Sequence, residues 1–374
     1  MKHIYVLIKP ASSLCNMRCS YCFYSDLSTR RACASFGIMD GETRRRIIGN
    51  IFACLEDGNE ITFAFQGGEP TLAGTAWFDD FAELVSCCLR ERNVAVHYAF
   101  QTNGLLLDDA WCRFFKDHNV LVGLSLDGSP GIHDRNRVDT AGGGTYQRVL
   151  KGKELLDTHH IEYNILCVLS SDIARDPDRM WRFIIREMIQ YIQFIPCLPR
   201  LDENGAAAAH NALRPAMFAS FYSLLFRSWA RELESGHYVS VKFFDDVINL
   251  FVRGITSACG ISGQCGAQYV VEADGSVYPC DFYAIDEYCT GNLMEKTPRE
   301  LFDSEKMQLF LREKPPVSKL CNACPYYRAC GGGCKRMRNV MYSGVSEICG
   351  LKIFLDKCLL PLGDIASRFM AGKI

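Results

Sequence analysis

Residues 4–24 read IYVLIKPASSLCNMRCSYCFY: an apolar run of five, a Lys-Pro break, then cysteines at Cys15, Cys19 and Cys22. A run this short and this apolar suits a strand buried on both faces, the kind found in parallel sheets. The same grammar recurs over the first 235 residues. ITFAF (61–65), VHYAF (96–100), VLVGLSL (120–126), YNILCVL (163–169) and YIQFI (191–195) are further strand candidates. Amphipathic patterns at about 40–56, 75–92, 108–118, 145–159 and 177–189 separate them, and another at about 215–235 follows the last. Alternating strands and helices predict an α/β fold, a partial (β/α)6 barrel of parallel strands, with a doubly wound open sheet as the alternative. Either fold places functional side chains just past the C-terminal ends of strands. There the sequence puts the cysteines after the first run, QGGEP after the second, QTNG after the third and DG after the fourth.

Near residue 236 the pattern breaks. Residues 1–235 are therefore expected to form the barrel, and 236–374 a cysteine-rich domain that packs against it and carries a C-terminal helix. In VVEADGSVYPC (270–280) the Asp-Gly pair predicts a hairpin turn. The short runs Ala206–Ala209 and Gly142–Gly144 read as loops.

Composition narrows the function. With 48% apolar and 22% charged residues, the chain has globular rather than disordered character. Forty-one basic against 43 acidic side chains, a net charge of −2, leave no overall nucleic-acid footprint. MKHIYVLIKP lacks the pattern of a secretory signal, and no uncharged apolar stretch approaches the ~18 residues of a membrane span. A cytoplasmic protein is expected, with no membrane and no nucleic-acid partner, and no apolar heptad seam argues against a monomer. In a reducing compartment, 20 cysteines in clusters point to metal rather than to disulfides.

The cysteines divide by spacing. Cys15-x3-Cys19-x2-Cys22 can hold a 4Fe-4S cluster with one iron open to a small molecule. A zinc site is the alternative, with Cys33 as the fourth ligand. Downstream, Cys259, Cys265, Cys280, Cys321, Cys324, Cys330, Cys334 and Cys349 suffice for two further four-ligand centres, of iron–sulfur or of zinc. The glycines Gly331–Gly333 let backbone approach sulfur closely. The remaining nine (Cys33, Cys54, Cys87, Cys88, Cys112, Cys167, Cys197, Cys289 and Cys358) are expected mostly as buried packing.

The three-cysteine loop with Phe23-Tyr24 behind it, followed by GGEP, resembles the radical S-adenosylmethionine enzymes. The cysteines from Cys265 to Cys349 resemble the SPASM extension with two auxiliary clusters. More narrowly, IKPASSLCNMRCSYCFY, FAFQGGEPTLAG, FQTNG, GLSLDG, NILCV and DGSVYPCDFY resemble the anaerobic sulfatase-maturating enzymes, in unbroken order from about residue 5 to 350.

That resemblance implies S-adenosylmethionine and three 4Fe-4S clusters as cofactors. It implies Cys15, Cys19 and Cys22 as ligands of the catalytic cluster, and Tyr21, Gly68, Ser125, Arg137 and Leu198 as contacts to S-adenosylmethionine. Cys259, Cys265, Cys280 and Cys334 would hold one auxiliary cluster, and Cys321, Cys324, Cys330 and Cys349 the other. Asp281 matches the family's catalytic base. From the residues alone, Arg137 could instead pair with Asp134 or Asp139, and Asp281 could merely cap a turn.

The implied reaction oxidises a cysteine or serine side chain of an unfolded or nascent sulfatase, within a C/S-x-P/A-x-R motif, to Cα-formylglycine. The implied electron donor is a low-potential carrier such as flavodoxin or ferredoxin. One alternative is a SPASM maturase forming thioether or carbon–carbon crosslinks in a ribosomal peptide. The early position of Cys15 speaks against the N-terminal recognition domain such enzymes often carry. A zinc-stabilised binding module without catalysis is the other alternative.

Overall fold

A computed structural model describes residues 2–201, 211–314, 316–343 and 347–372. The run Ala206–Ala209 lies outside the described residues. Contacts divide the chain into two compact units: Met1–Ser125 with Arg137–Tyr163 and Gly266–Glu313, and Leu126–Asn136 with Asn164–Cys265 and Lys314–Ile374.

In the first unit β1 (His3–Ile8), β2 (Glu60–Phe65), β3 (Ala95–Thr102) and β4 (Leu121–Ser125) lie side by side in chain order, all parallel. Helices α1 (Gly41–Ala53), α2 (Thr75–Leu89) and α3 (Asp109–Asp117) connect them, and α4 (Tyr146–Thr158) follows. In the second unit β5 (Tyr163–Leu169) pairs in parallel with β6 (Tyr191–Pro196), with α5 (Pro177–Arg186) between and α6 (Pro215–Glu234) after. Sequential parallel order belongs to a barrel-type βα array. A doubly wound sheet reverses its order at a switch point, and neither set of strands does.

Local chemistry starts the helices where the sequence places them. Asp40, Asp108 and Asp176 each accept a backbone N–H of the first turn, from Thr43 at 2.7 Å, Trp111 at 3.0 Å and Arg179 at 2.8 Å. Their apolar faces then close on the strands. Phe65 meets Phe78 and Phe81 edge-on at 5.0 and 5.1 Å, and Phe78 packs on Phe100 at 5.1 Å. Each such ring contributes about 1.5–3 kcal/mol through burial, before the edge-to-face term.

The hairpin forms where Asp-Gly called for it. β7 (Tyr269–Val271) and β8 (Ser276–Tyr278) pair antiparallel, and β9 (Gly291–Asn292) pairs with β8. Gly275 turns with φ +83°, and a Cβ there would lie 2.5 Å from Asn292 Oδ1. β7 also adds in parallel to β1, Val6 opposite Tyr269. The residues around 266–313 therefore share a unit with the N-terminal strands. The boundary expected near 236 divides the chain in sequence, whereas the compact units are discontinuous along it.

In the second unit α6 packs on α7 (Gly350–Met370) through Tyr222, which lies 4.1 Å from Phe243 and 6.2 Å from Phe354. No helix among the described residues is long and apolar enough to cross a membrane.

Candidate active site

The loop after β1 is fixed from several sides. Asn103 Nδ2, just past β3, donates to Asn16 Oδ1 at 2.7 Å and approaches Cys15 Sγ at 3.9 Å. Gly68 N–H donates to the Ser12 carbonyl at 2.9 Å, and Glu69 N–H to the Leu14 carbonyl at 2.8 Å. A Cβ at Gly68 would sit 1.9 Å from that Leu14 carbonyl oxygen. The glycine expected to admit a cofactor is thus already required by the backbone of the cysteine loop. The buried Glu69 carboxylate accepts from Thr71 N and Oγ1, Thr102 Oγ1 and Asn103 N, which ties the β2 and β3 loops together.

A two-stranded ribbon, Met17–Cys19 against Arg137–Asp139, sets Cys19 opposite Arg137. Arg137 donates to the Tyr21 hydroxyl at 3.3 Å, while Asp139 takes Arg148 at 3.0 Å. Two residues separated by more than a hundred positions are thereby joined beside the cysteines. Ser125, at the end of β4, accepts from Gln101 Nε2 at 3.0 Å. The Cys15 thiol is pushed up by desolvation and then, against a bond from Met17 N–H, by the charges of Glu69, Cys19 and Cys22. Thiols that repel one another's ionisation are the ones a cationic iron centre would deprotonate, so this trio fits such a group. Cys33 instead donates to the Ser35 carbonyl.

Asp281 opens a 3-10 turn, but its side chain caps nothing there. Oδ2 accepts the Tyr24 hydroxyl at 2.5 Å and Gln66 Nε2 at 3.3 Å, and Gln66 also donates to Tyr24 Oη at 2.7 Å. Lys9 Nζ lies 3.8 Å from Oδ1, which has no hydrogen-bond partner among the described residues. Lys9 is shared with Glu272 at 3.3 Å, and Arg31 also donates to that buried carboxylate. Burial pushes the Asp281 carboxyl up, with Lys9 and Tyr24 opposing and Glu272 reinforcing. Lys9, Gln66 and Glu272 were not singled out from sequence, and Tyr24 only as part of the pattern behind the cysteines. The available signal was position: Lys9 and Gln66 are the first residues past β1 and β2.

In the second unit, Cys321, Cys324, Cys330 and Cys349 line one cavity with Tyr342, Arg338 and Lys352. The buried Cys330 thiol is pushed up to about 11 by burial, against a bond from Gly332 and together with Cys349, Cys324 and Cys321. Burial also pushes the Cys259 thiol up to about 11, reinforced by Cys334 and Cys265. Cys259, Cys265 and Cys334 belong to the second unit, whereas Cys280, expected with them, belongs to the first, next to Asp281. Among the described residues no group of three His, Cys, Asp or Glu could hold a single metal ion; the four thiols ring a gap. Gly331, Gly332 and Gly333 all have positive φ, and a Cβ on Gly333 would lie 2.1 Å from Cζ of the Tyr342 ring.

Leu198 is half-buried two residues past β6. Asp127 is structural, its carboxylate accepting Val168 N–H at 2.9 Å. Of the nine leftover cysteines, Cys112, Cys167, Cys197 and Cys358 are buried, but Cys33 and Cys87 are exposed, in a loop and near the end of α2.

Parallel strands carrying a three-cysteine loop, with a cysteine-dense region beyond, define a radical S-adenosylmethionine enzyme fold with an iron–sulfur extension. The sequence model of the Radical SAM superfamily matches residues 10–175, and that of the SPASM iron-sulfur cluster-binding domain matches 263–325. A cysteine-type anaerobic sulfatase-maturating enzyme of Clostridium perfringens is 39% identical over 93% of each chain. A serine-type enzyme of Klebsiella aerogenes is 29% identical over 96% of this chain and 86% of its own. The solved structure of native anSMEcpe with bound AdoMet and the Kp18Cys peptide matches 98% of this chain and 99% of that one, at 35% identity and a TM-score of 0.89. The chain belongs to the family of anaerobic sulfatase-maturating enzymes. A zinc-stabilised module without catalysis is thereby set aside.

Proposed function

We propose that this protein oxidises a cysteine of a sulfatase polypeptide to Cα-formylglycine, with Asp281 as the base. One observation carries the assignment of the base: a buried carboxylate beside Cys280, held at Oδ2 by Tyr24 and Gln66, keeps Oδ1 without a hydrogen-bond partner among the described residues. Higher identity to the cysteine-type relative than to the serine-type one supports cysteine as the target.

Cys15, Cys19 and Cys22 would hold the catalytic 4Fe-4S cluster. Tyr21, Gly68, Ser125, Arg137 and Leu198 would line S-adenosylmethionine. Cys259, Cys265, Cys280 and Cys334, and Cys321, Cys324, Cys330 and Cys349, would hold the auxiliary pair. When bound, these groups supply hydrogen-atom abstraction and one-electron transfer. The chain's own residues do the acid–base work. Tyr24 and Gln66 fix the Asp281 carboxylate, Lys9 offsets its charge while it is ionised, and Oδ1 accepts the target's thiol proton. Loss of hydrogen, proton and electron leaves a thioaldehyde, which water converts to the aldehyde and sulfide.

No disulfide joins the cysteines among the described residues, which supports a reducing cytoplasm. The substrate is a sulfatase segment with a C-x-P-x-R motif, the reductant a low-potential protein carrier, and the working form a monomer. The test is anaerobic incubation of reconstituted enzyme with S-adenosylmethionine, dithionite and a C-x-P-x-R peptide beside its serine counterpart. An aldehyde on the cysteine peptide supports the proposal; a crosslinked or unchanged peptide overturns it.

A further inference from the structure

Between Lys314 and Lys352 the sequence carries seven basic residues and one acid, Glu347, in a chain whose net charge is −2. This is also the stretch that supplies Cys321, Cys324, Cys330 and Cys349. Cys321 and Cys324 are partly exposed, and their cavity is also lined by Val317, Leu320 and Tyr327, which are 38, 38 and 37% exposed. Lys314, Lys319 and Arg328 are exposed, and none has an ion-pair partner among the described residues. Lys352, at the cavity wall, pairs with Asp356. Mainly positive charge, apolar side chains open to water and partly exposed thiols thus occur together in this stretch.

We propose that this surface docks an acidic one-electron carrier protein and brings its redox group to the Cys321/Cys324 side of the cavity. The inference rests on the proposed cluster at Cys321, Cys324, Cys330 and Cys349. In the step, the carrier loses one electron and the cluster gains one, with no bond made or broken. Electron transfer falls steeply with distance, so the carrier must approach the least buried ligands. Unpaired cations attract an acidic partner and raise its encounter rate by about 10–10³-fold, and the small apolar centre suits a short-lived redox complex. The attraction weakens as salt shortens the screening length.

The probe is reduced flavodoxin mixed anaerobically with reconstituted holoenzyme, cluster reduction being followed by absorbance and binding by titration calorimetry. The triple variant Lys314→Glu, Lys319→Glu, Arg328→Glu alters only exposed side chains, and its iron content and circular dichroism check folding. The expected result is a fall of about tenfold or more in reduction rate and affinity at low salt, with the wild type losing the same advantage at high salt. Dithionite-driven formylglycine formation should be unchanged, because a small reductant needs no docking surface. Arg45→Glu with Arg46→Glu on α1 is the control and should behave as wild type. Unaltered flavodoxin binding and reduction in the triple variant would overturn the docking surface, as would an equal loss in the α1 control. Failure of the wild type with dithionite would instead overturn the proposed function.

Discussion

The Tyr24 hydroxyl donates a 2.5 Å hydrogen bond to Oδ2 of Asp281, joining residues 257 positions apart. Tyr24 lies two residues past Cys22, and Asp281 directly follows Cys280. The contact therefore links the loop of Cys15, Cys19 and Cys22 to the hairpin that runs into Cys280. Both residues lie in the first unit, brought together when β7 adds to β1.

Asp281→Asn removes the proposed base and keeps the shape. Formylglycine formation should fall by about 10²–10⁴-fold while S-adenosylmethionine cleavage persists. Tyr24→Phe should cost less, about tenfold or somewhat more, since Gln66 still holds Oδ2. Mass spectrometry of the peptide, with quantified 5′-deoxyadenosine, separates the two steps. Full turnover by Asp281→Asn would exclude the residue from the mechanism.

Glu272 is buried between Lys9 and Arg31. Burial opposes its ionisation, but the two cations outweigh it and hold the carboxyl below the usual range. Its stabilisation is complete above the unfolded value of about 4.3 and is lost as pH falls through the lower folded value. Glu272→Gln should destabilise by about 3–5 kcal/mol at neutral pH, because it strands buried cations. It should also flatten the acid limb. Urea midpoints from pH 3 to 7 test both.

Gly68→Ala would drive a methyl group into the Leu14 carbonyl, and backbone on both sides cannot yield cheaply. The cysteine loop must shift. Anaerobically reconstituted wild type should bind about twelve irons, and the variant about eight. An unchanged iron count with normal activity would show that the loop adapts.

The Tyr342 hydroxyl donates to the Gly260 carbonyl at 2.6 Å, and its ring lies over Gly333 beside the cysteine-lined cavity. Tyr342→Phe loses one hydrogen bond, about 1 kcal/mol. Tyr342→Ala leaves a cavity and should cost about 3–5 kcal/mol. Hydrogen exchange at residues 330–342 should rise in that order.

Much of the molecule was readable along the chain. Apolar runs from IYVLI to YIQFI became β1 to β6 within a few residues, because burial on both faces of a parallel strand leaves little choice of side chain. Asp40, Asp108 and Asp176 marked helix starts, and Asp274-Gly275 marked its turn, since caps and tight turns are local chemistry. Cys15, Cys19 and Cys22 fall together after β1 for the same reason: residues a few positions apart stay close whatever the rest of the chain does.

Convergence was not readable. Lys9, Tyr24, Gln66 and Glu272 carry no spacing signature, and each has an ordinary meaning in its own segment. The parallel register of β7 on β1 sets Glu272 and Asp281 beside Lys9, and makes a lysine on an apolar strand's tail a buried counter-charge. The sequence by itself determined the strands and the family. Which oxygen of Asp281 is held and which is left without a hydrogen-bond partner among the described residues was decided only by tertiary structure, because a hydrogen bond depends on ångström distances between segments that no local pattern encodes.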